Sequence, residues 1–268
     1  MAVHFANPSP LLLPFIKRYW AIENTLECGQ TCVQRILPTG FCELMLYFSP
    51  RPQTVGCNRT LTDNVALYGH LGEYYDIEYQ GDLEVFSIVF QPQGLMQFFR
   101  FPLNEIFNIN VPLQHLIGQV GRELEEQMGS VTNFEARVGI AENYFIASLQ
   151  RQYEEYEFRR LHHVIETLVQ RRGEVSVDEM ASAACLSRRQ FERVFAERIG
   201  ASPKQYLKTV RFQRTLYEKQ RNNSLSMTEL AIDCGYYDQA HFIADFKSIC
   251  GQTPLKFFQE NEACSDFF

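Results

Sequence analysis

Four side chains in one short stretch have the types and spacing needed to hydrogen-bond the edges of nucleotide bases. In "SRRQFERVF", residues 187–195, Phe191 and Phe195 lie one helical turn apart and point together toward a core. That leaves Arg188, Arg189, Glu192 and Arg193 on the open faces. An arginine fork matches guanine O6 and N7, and a glutamate accepts from the cytosine amine; a solvated charged face is the plainer alternative. A second stretch, "GYYDQAHFIADFK" at 235–247, repeats the spacing with Phe242 and Phe246 but presents Gln239, Ala240, Ile243 and Ala244. Gln suits adenine, while the three apolar residues can touch thymine methyls. This second face has no arginine. Ala244 and Asp245 stand where a cation is expected, since phosphate neutralisation supplies most nucleic-acid affinity.

Two other groups could carry chemistry. Cysteines occur at 28, 32, 42, 57, 185, 234, 250 and 264. Only Cys28 and Cys32 are close in sequence, paired knuckles are missing, and His4 is the sole nearby histidine, so zinc or thiol sensing by Cys28, Cys32, Cys42 and Cys57 is a secondary reading. No nucleophile–base pattern, Walker loop or nucleotide fingerprint is visible, so neither catalysis nor a cofactor or metal is expected. Trp20, Tyr47, Tyr68, Tyr74 and Phe90 could wall an effector pocket, with Arg35 or Glu43 as an anchor, although an aromatic is more often plain core.

The elements that must position these residues fall into two halves. The chain has 268 residues, 46% of them hydrophobic, which suffices for two modest cores. Its formal net charge is −7. The distribution is uneven: residues 1–154 hold nine Lys/Arg against sixteen Asp/Glu, whereas Arg188 to Arg221 hold ten against three. A polyanion partner is thereby expected for that basic window, in spite of the overall sign. No apolar run is long enough to span a bilayer and the N-terminus lacks a signal-peptide pattern, so a cytoplasmic protein with no membrane partner is expected. Reduced cysteines agree with that location.

The C-terminal half contains a repeat. "SVDEMASAACLSRRQFERVFAERIGASPKQYL" starts at Ser176 and "SMTELAIDCGYYDQAHFIADFKSICGQTPLKFF" at Ser226, 50 residues on. After one inserted turn residue, Ser187 and Asp238, Phe191 and Phe242, Gly200 and Gly251, and Pro203 and Pro254 pair at an offset of 51. Ser176 with Glu179, and Ser226 with Glu229, form capping boxes. Ala181 and Ala231 allow a second helix to cross closely; Ser187 and Asp238 cap it, and Gly200 and Gly251 stop it. Ser202-Pro203 and Thr253-Pro254 then restart the chain. The helix from Pro203 to about Gln220 spans about 27 Å, close to the roughly 34 Å pitch of DNA, so one chain could engage successive major-groove faces.

At these residues the sequence resembles the AraC/XylS family of bacterial transcription regulators, over about residues 158–260 and most strongly in "ELAIDCGYYDQAHFIADFK". The resemblance implies tandem helix-turn-helix motifs, joined by a long helix, that bind promoter DNA; such a regulator is expected to act by positioning RNA polymerase or altering its access. It places Arg189, Glu192 and Arg193 toward bases or phosphates, with Arg188 flanking. The family often has a basic residue at the position of Ala244, so a weaker or more permissive second half-site is expected. Lys204, Lys208 and Lys247 are candidate backbone contacts; Arg211 matches a position tied to helix packing.

The N-terminal half is expected to be β-rich, with "CVQRIL", "FCELMLYF", "DIEYQ" and "LEVFSIVF" as strands. "PFIKRYW", "ILPTGFCELMLYF" and "FSIVFQPQGLMQFF" resemble an N-terminal domain often joined to AraC-type modules; the resemblance implies effector sensing, oligomerisation or both. Two helices broken near Gly129-Ser130 follow. The second carries Phe134, Val138, Ala141, Phe145 and Leu149 as a stripe that must be buried, against the N-terminal domain or a second subunit. The expected architecture is α+β: a β-rich effector or oligomerisation domain at 1–111, a helical linker or dimerisation region at 112–157, and an all-α double helix-turn-helix domain at 158–262. A regulator acting mainly through a protein partner is the remaining alternative.

Overall fold

A computed structural model describes the whole chain except residues 58, 59, 62, 150–154, 261–264 and 266–268; Cys264 lies outside the described residues. Among the described residues, the N-terminal half contains nine strands: β1 (Ala2–Ala6), β2 (Ile16–Thr25), β3 (Thr31–Ile36), β4 (Glu43–Tyr47), β5 (Gln53–Val55), β6 (Val65–Tyr68), β7 (Tyr75–Gln80), β8 (Asp82–Phe90) and β9 (Asn110–Pro112). They form a six-stranded sheet in the order β1-β2-β8-β4-β6-β9 and a three-stranded sheet in the order β3-β7-β5, with antiparallel pairing throughout.

The central position of β8 explains its sequence. "FSIVF" is an unbroken run, with Phe86, Ser87, Ile88, Val89 and Phe90 all buried, because both faces of the large sheet are covered. On one face Tyr19, Ala21, Leu44, Leu46, Phe86 and Ile88 meet helices. On the other, Tyr47, Tyr68, Leu83 and Val85 meet Tyr75, Ile77 and Tyr79 of β7. The period-two alternation of β4, with Leu44 and Leu46 on the helix side and Tyr47 on the sheet side, follows from this layering. The helices are α1 (Leu113–Ile117), α2 (Gln119–Gly129) and α3 (Phe134–Leu149). The α3 stripe is buried within the chain: Phe134, Ala141 and Phe145 belong to this core, with Val138 and Leu149 packed on it.

The C-terminal half is helical: α4 (Glu155–Gln170), α5 (Val177–Ala183), α6 (Arg188–Ile199), α7 (Pro203–Arg221), α8 (Met227–Asp233), α9 (Gln239–Cys250) and α10 (Pro254–Glu260). Two aromatic-centred cores divide it. One gathers Leu161, Leu168, Phe191, Phe195, Tyr206 and Val210; the other gathers Phe212, Leu230, Phe242, Phe246 and Phe257. The first core also takes in Phe41, Val89 and Met96, so the N-terminal domain packs directly on the first helical unit. Leu37 packs on the second.

Among the described cysteines, Cys42, Cys234 and Cys250 are buried, Cys32 is half-buried, and Cys28, Cys57 and Cys185 are exposed; all seven are free thiols. Among the described residues no three His, Cys, Asp or Glu side chains converge as a metal site, and no helix is long and apolar enough to cross a membrane.

Candidate nucleic-acid interface

Both helix pairs are built by the capping chemistry that the repeat encodes. The Ser176 hydroxyl accepts from the Glu179 amide at 3.2 Å, and the Glu179 carboxylate accepts from the Ser176 amide at 2.7 Å. That amide, then the Arg171 guanidinium, hold the Glu179 carboxyl down at about 2. Ser226 and Glu229 repeat the arrangement, and the Glu229 carboxyl is lowered by its bonds to Ser226. Ser187 caps α6 by accepting from the Gln190 amide, and Asp238 caps α9 by accepting from the His241 amide at 2.7 Å. Gly200 and Gly251 end the two helices in the left-handed conformation, at φ 101° and 79°.

In α6, Phe191, Phe195 and Ile199 are buried, while Arg188, Arg189, Glu192 and Arg193 stand together in solvent. Their freedom differs. The Arg188 guanidinium donates to Asp178 at 3.0 Å and to Glu192 at 3.1 Å, and Arg193 donates to Glu197 at 3.2 Å. Arg189 pairs with nothing among the described residues. Its cation at the first turn of α6 is therefore immediately available to a phosphate or a guanine edge.

In α9, Phe242, Phe246, Ile249 and Cys250 are buried. Gln239, Ala240, Ala244 and Lys247 are exposed and Ile243 is half-buried, so the structure brings this set together on one face. Gln239 accepts from the Thr228 hydroxyl at 3.3 Å. Asp245 is turned inward, 3.4 Å from Lys208, 3.5 Å from Arg211 and 3.4 Å from His241. Lys208 is thus engaged inside the protein, whereas Lys204 and Lys247 are exposed and form no ion pair among the described residues. Pattern reasoning missed Tyr237. It follows buried Tyr236, is itself 92% exposed, and stands beside the α9 cap, where a hydroxyl can meet a backbone phosphate. Two adjacent tyrosines, one of which must face out, were the available signal.

Between the two sheets of the N-terminal domain lies a cavity of about 380 Å³ whose walls include Trp20, Leu37, Glu43, Tyr47 and Tyr75. Glu43 accepts there from Ser87 at 2.7 Å and from the Trp20 indole at 3.2 Å. Arg35 also borders it, but its guanidinium is held by Asp76 through two bonds of 2.8 Å. The expected walls Tyr68, Tyr74 and Phe90 are placed elsewhere. Tyr68 packs in the inter-sheet core, Phe90 faces the helices on the far side of the sheet, and the amide of Tyr74 bonds the end of α9. Alternation along a strand puts neighbours on opposite faces, and Phe90 is the residue to which this applies.

A model described as a helix-turn-helix domain matches residues 180–260, and one described as a domain of unknown function (DUF6597) matches residues 4–112. The C-terminal match is of the AraC type. Over 80 residues the chain is 31% identical to the HTH-type transcriptional regulator ArgR of Pseudomonas aeruginosa, covering 30% of this chain and 24% of that protein. It is 30% identical over 105 residues to the HTH-type transcriptional activator RhaS of Escherichia fergusonii, covering 39% and 37%. These matches span well under half the length of either relative. Among solved structures, ToxT of Vibrio cholerae O395 aligns over 89% of this chain and 96% of its own at 10% identity, with a TM-score of 0.44. The DNA-binding domain of AdpA in complex with a target DNA aligns over 38% and 91% at 24% identity, with a TM-score of 0.35.

Proposed function

We propose that this chain, whose C-terminal end is a helix-turn-helix domain of the AraC type, is a transcription regulator that reads promoter DNA with α6 and α9. The observation that carries this reading is the exposed guanidinium of Arg189, without a partner among the described residues, in the first turn of α6, on a helix whose opposite face is anchored by Phe191 and Phe195. Arg193, Arg188 and Glu192 surround it, and Lys204, Lys247 and Tyr237 supply contacts to the sugar–phosphate backbone. Gln239, Ala240, Ile243 and Ala244 give the second half-site a leaning toward A·T pairs. Lys208 joins only if it leaves Asp245.

The cavity between the sheets is of a size that holds a small organic effector, and Glu43 supplies an acceptor in an otherwise mostly apolar wall. RNA polymerase is the partner through which promoter binding would be read out. A homodimer would double the reading helices and raise avidity, without using the α3 stripe, which is buried in its own chain.

The test is selection of duplexes from a random-sequence pool by the full-length chain, followed by affinity measurements with Arg189→Ala and Arg188→Ala. Arg189→Ala should lose about 1–3 kcal/mol and relax preference at one base pair. Arg188→Ala should lose less, because its guanidinium is already engaged by Asp178 and Glu192. Unchanged affinity in Arg189→Ala would remove α6 as a reading helix.

A further inference from the structure

The last turn of a helix leaves carbonyls without intrahelical donors. In α6 and α9 these carbonyls sit at equivalent points of the repeat, just before Gly200 and Gly251. One connection of the N-terminal domain, residues 69–74 between β6 and β7, reaches both ends. At the first, the buried side chain of His70 bonds the Ile199 backbone and packs edge-on against Tyr206. At the second, the Tyr74 amide donates to the Ile249 carbonyl at 2.8 Å. Arg35, on β3, donates to the Cys250 carbonyl at 2.9 Å while stacking 4.1 Å above the Tyr74 ring. Between the two ends, Gln205 of α7 donates to the Gly72 carbonyl at 3.3 Å.

Both glycines serve this approach as well as ending their helices. A Cβ on Gly251 would fall 2.4 Å from the Tyr74 ring, and one on Gly200 would fall 3.2 Å from the His70 ring. Within the C-terminal half, the two buried cores meet on α7, where Val210 belongs to the first and Phe212 to the second. The 69–74 connection adds a second tie to this shared helix, fastened to the same point of each unit.

We infer that residues 69–74, together with Arg35, form an internal spacer that fixes α6 and α9 relative to each other, making Arg35, His70 and Tyr74 positioning residues that set the half-site spacing the chain accepts. The inference rests on the DNA-reading assignment above. A rigid pair of reading helices penalises a site whose two halves have been moved apart, because one inserted base pair both rotates and translates the second half. A pair released from its tie follows the displaced half-site.

The experiment uses the full chain and the duplex selected by the wild type, alone and with one base pair inserted between the half-sites. The wild type should lose about tenfold or more on the lengthened duplex, comparable to a mismatched base pair. Arg35→Ala, a half-exposed position whose truncation leaves the cores intact, and Tyr74→Ala should each cut that loss to about threefold or less. Arg35→Gln, which retains a donor, should fall between. Arg189→Ala is the control: it should weaken binding to both duplexes equally and leave their ratio unchanged. A wild-type spacing ratio in both Arg35→Ala and Tyr74→Ala overturns the spacer while leaving the DNA assignment standing. Failure of the wild type to select any duplex overturns both.

Discussion

If α9 reads DNA as proposed, a carboxylate on it repels phosphate unless its charge is balanced inside the protein, and Asp245 is placed so that it is. Lys208, Arg211 and His241 all lie within 3.5 Å of it, so the acid that stands out in the sequence joins α9 to α7 instead of facing a groove. On the face proposed to read DNA, the position without a cation is Ala244. Its neighbours one turn away are Ala240, His241, Lys247 and Ser248, none of them acidic, so an arginine introduced here would have no carboxylate within its own helix to capture it. Arg193, by contrast, is drawn to Glu197 one turn on. Ala244→Arg should therefore strengthen binding to the selected duplex by about 1 kcal/mol and raise the slope of log affinity against log salt by about one, if the new cation meets a phosphate. Titrations at several salt concentrations measure both. A weaker complex would mean that the apolar face of Ala240, Ile243 and Ala244 is already matched to its bases.

The helix-turn-helix elements were legible because each boundary depends on a residue with a local job. Ser176, Ser187, Ser226 and Asp238 cap, Gly200 and Gly251 stop, and Pro203 and Pro254 restart. One position breaks the symmetry. In the turn after α8, Gly235 takes φ 76°, while the equivalent position after α5 is Cys185 at φ 53°. A non-glycine residue in the left-handed region costs about 1–2 kcal/mol, partly offset in glycine by the greater freedom of its unfolded chain. Cys185 is exposed, so no packing compensates. Cys185→Gly should raise stability by about 0.5–1 kcal/mol in denaturant titration, with no change in affinity for DNA. A loss of stability would show that the thiol side chain supports the turn. The N-terminal elements were harder to read. β5 and β9 have three residues each, too short to show a period, and the strands β3, β4, β7 and β8 stood out only because β-branched and aromatic residues cluster in them.

What sequence patterns could not reveal is how the halves join. Arg35 and the Cys250 carbonyl are 215 residues apart, and Gln213 reaches the Pro38 carbonyl across 175. No local periodicity encodes such pairs. At the centre of the junction is His70, buried edge-on against Tyr206, with its pKa lowered to about 4 by burial, partly countered by its bond to the Ile199 backbone. The folded chain holds this imidazole neutral, whereas in the unfolded chain it takes up a proton below its ordinary value of 6.5. A group depressed in the folded state contributes stability that is complete above the unfolded value and is lost as pH falls toward the folded one. From pH 6.5 down toward about 4 the junction should therefore lose up to about 3 kcal/mol. Because the proton enters between the domains, the loss should appear first as their separation. Calorimetry should show one transition near neutral pH broadening or splitting as the solution is acidified within this window. His70→Asn, which cannot take up that proton, should be less stable at neutral pH but should show a flatter dependence across the same range. An unchanged slope in His70→Asn would place the acid sensitivity elsewhere and leave His70 as packing alone.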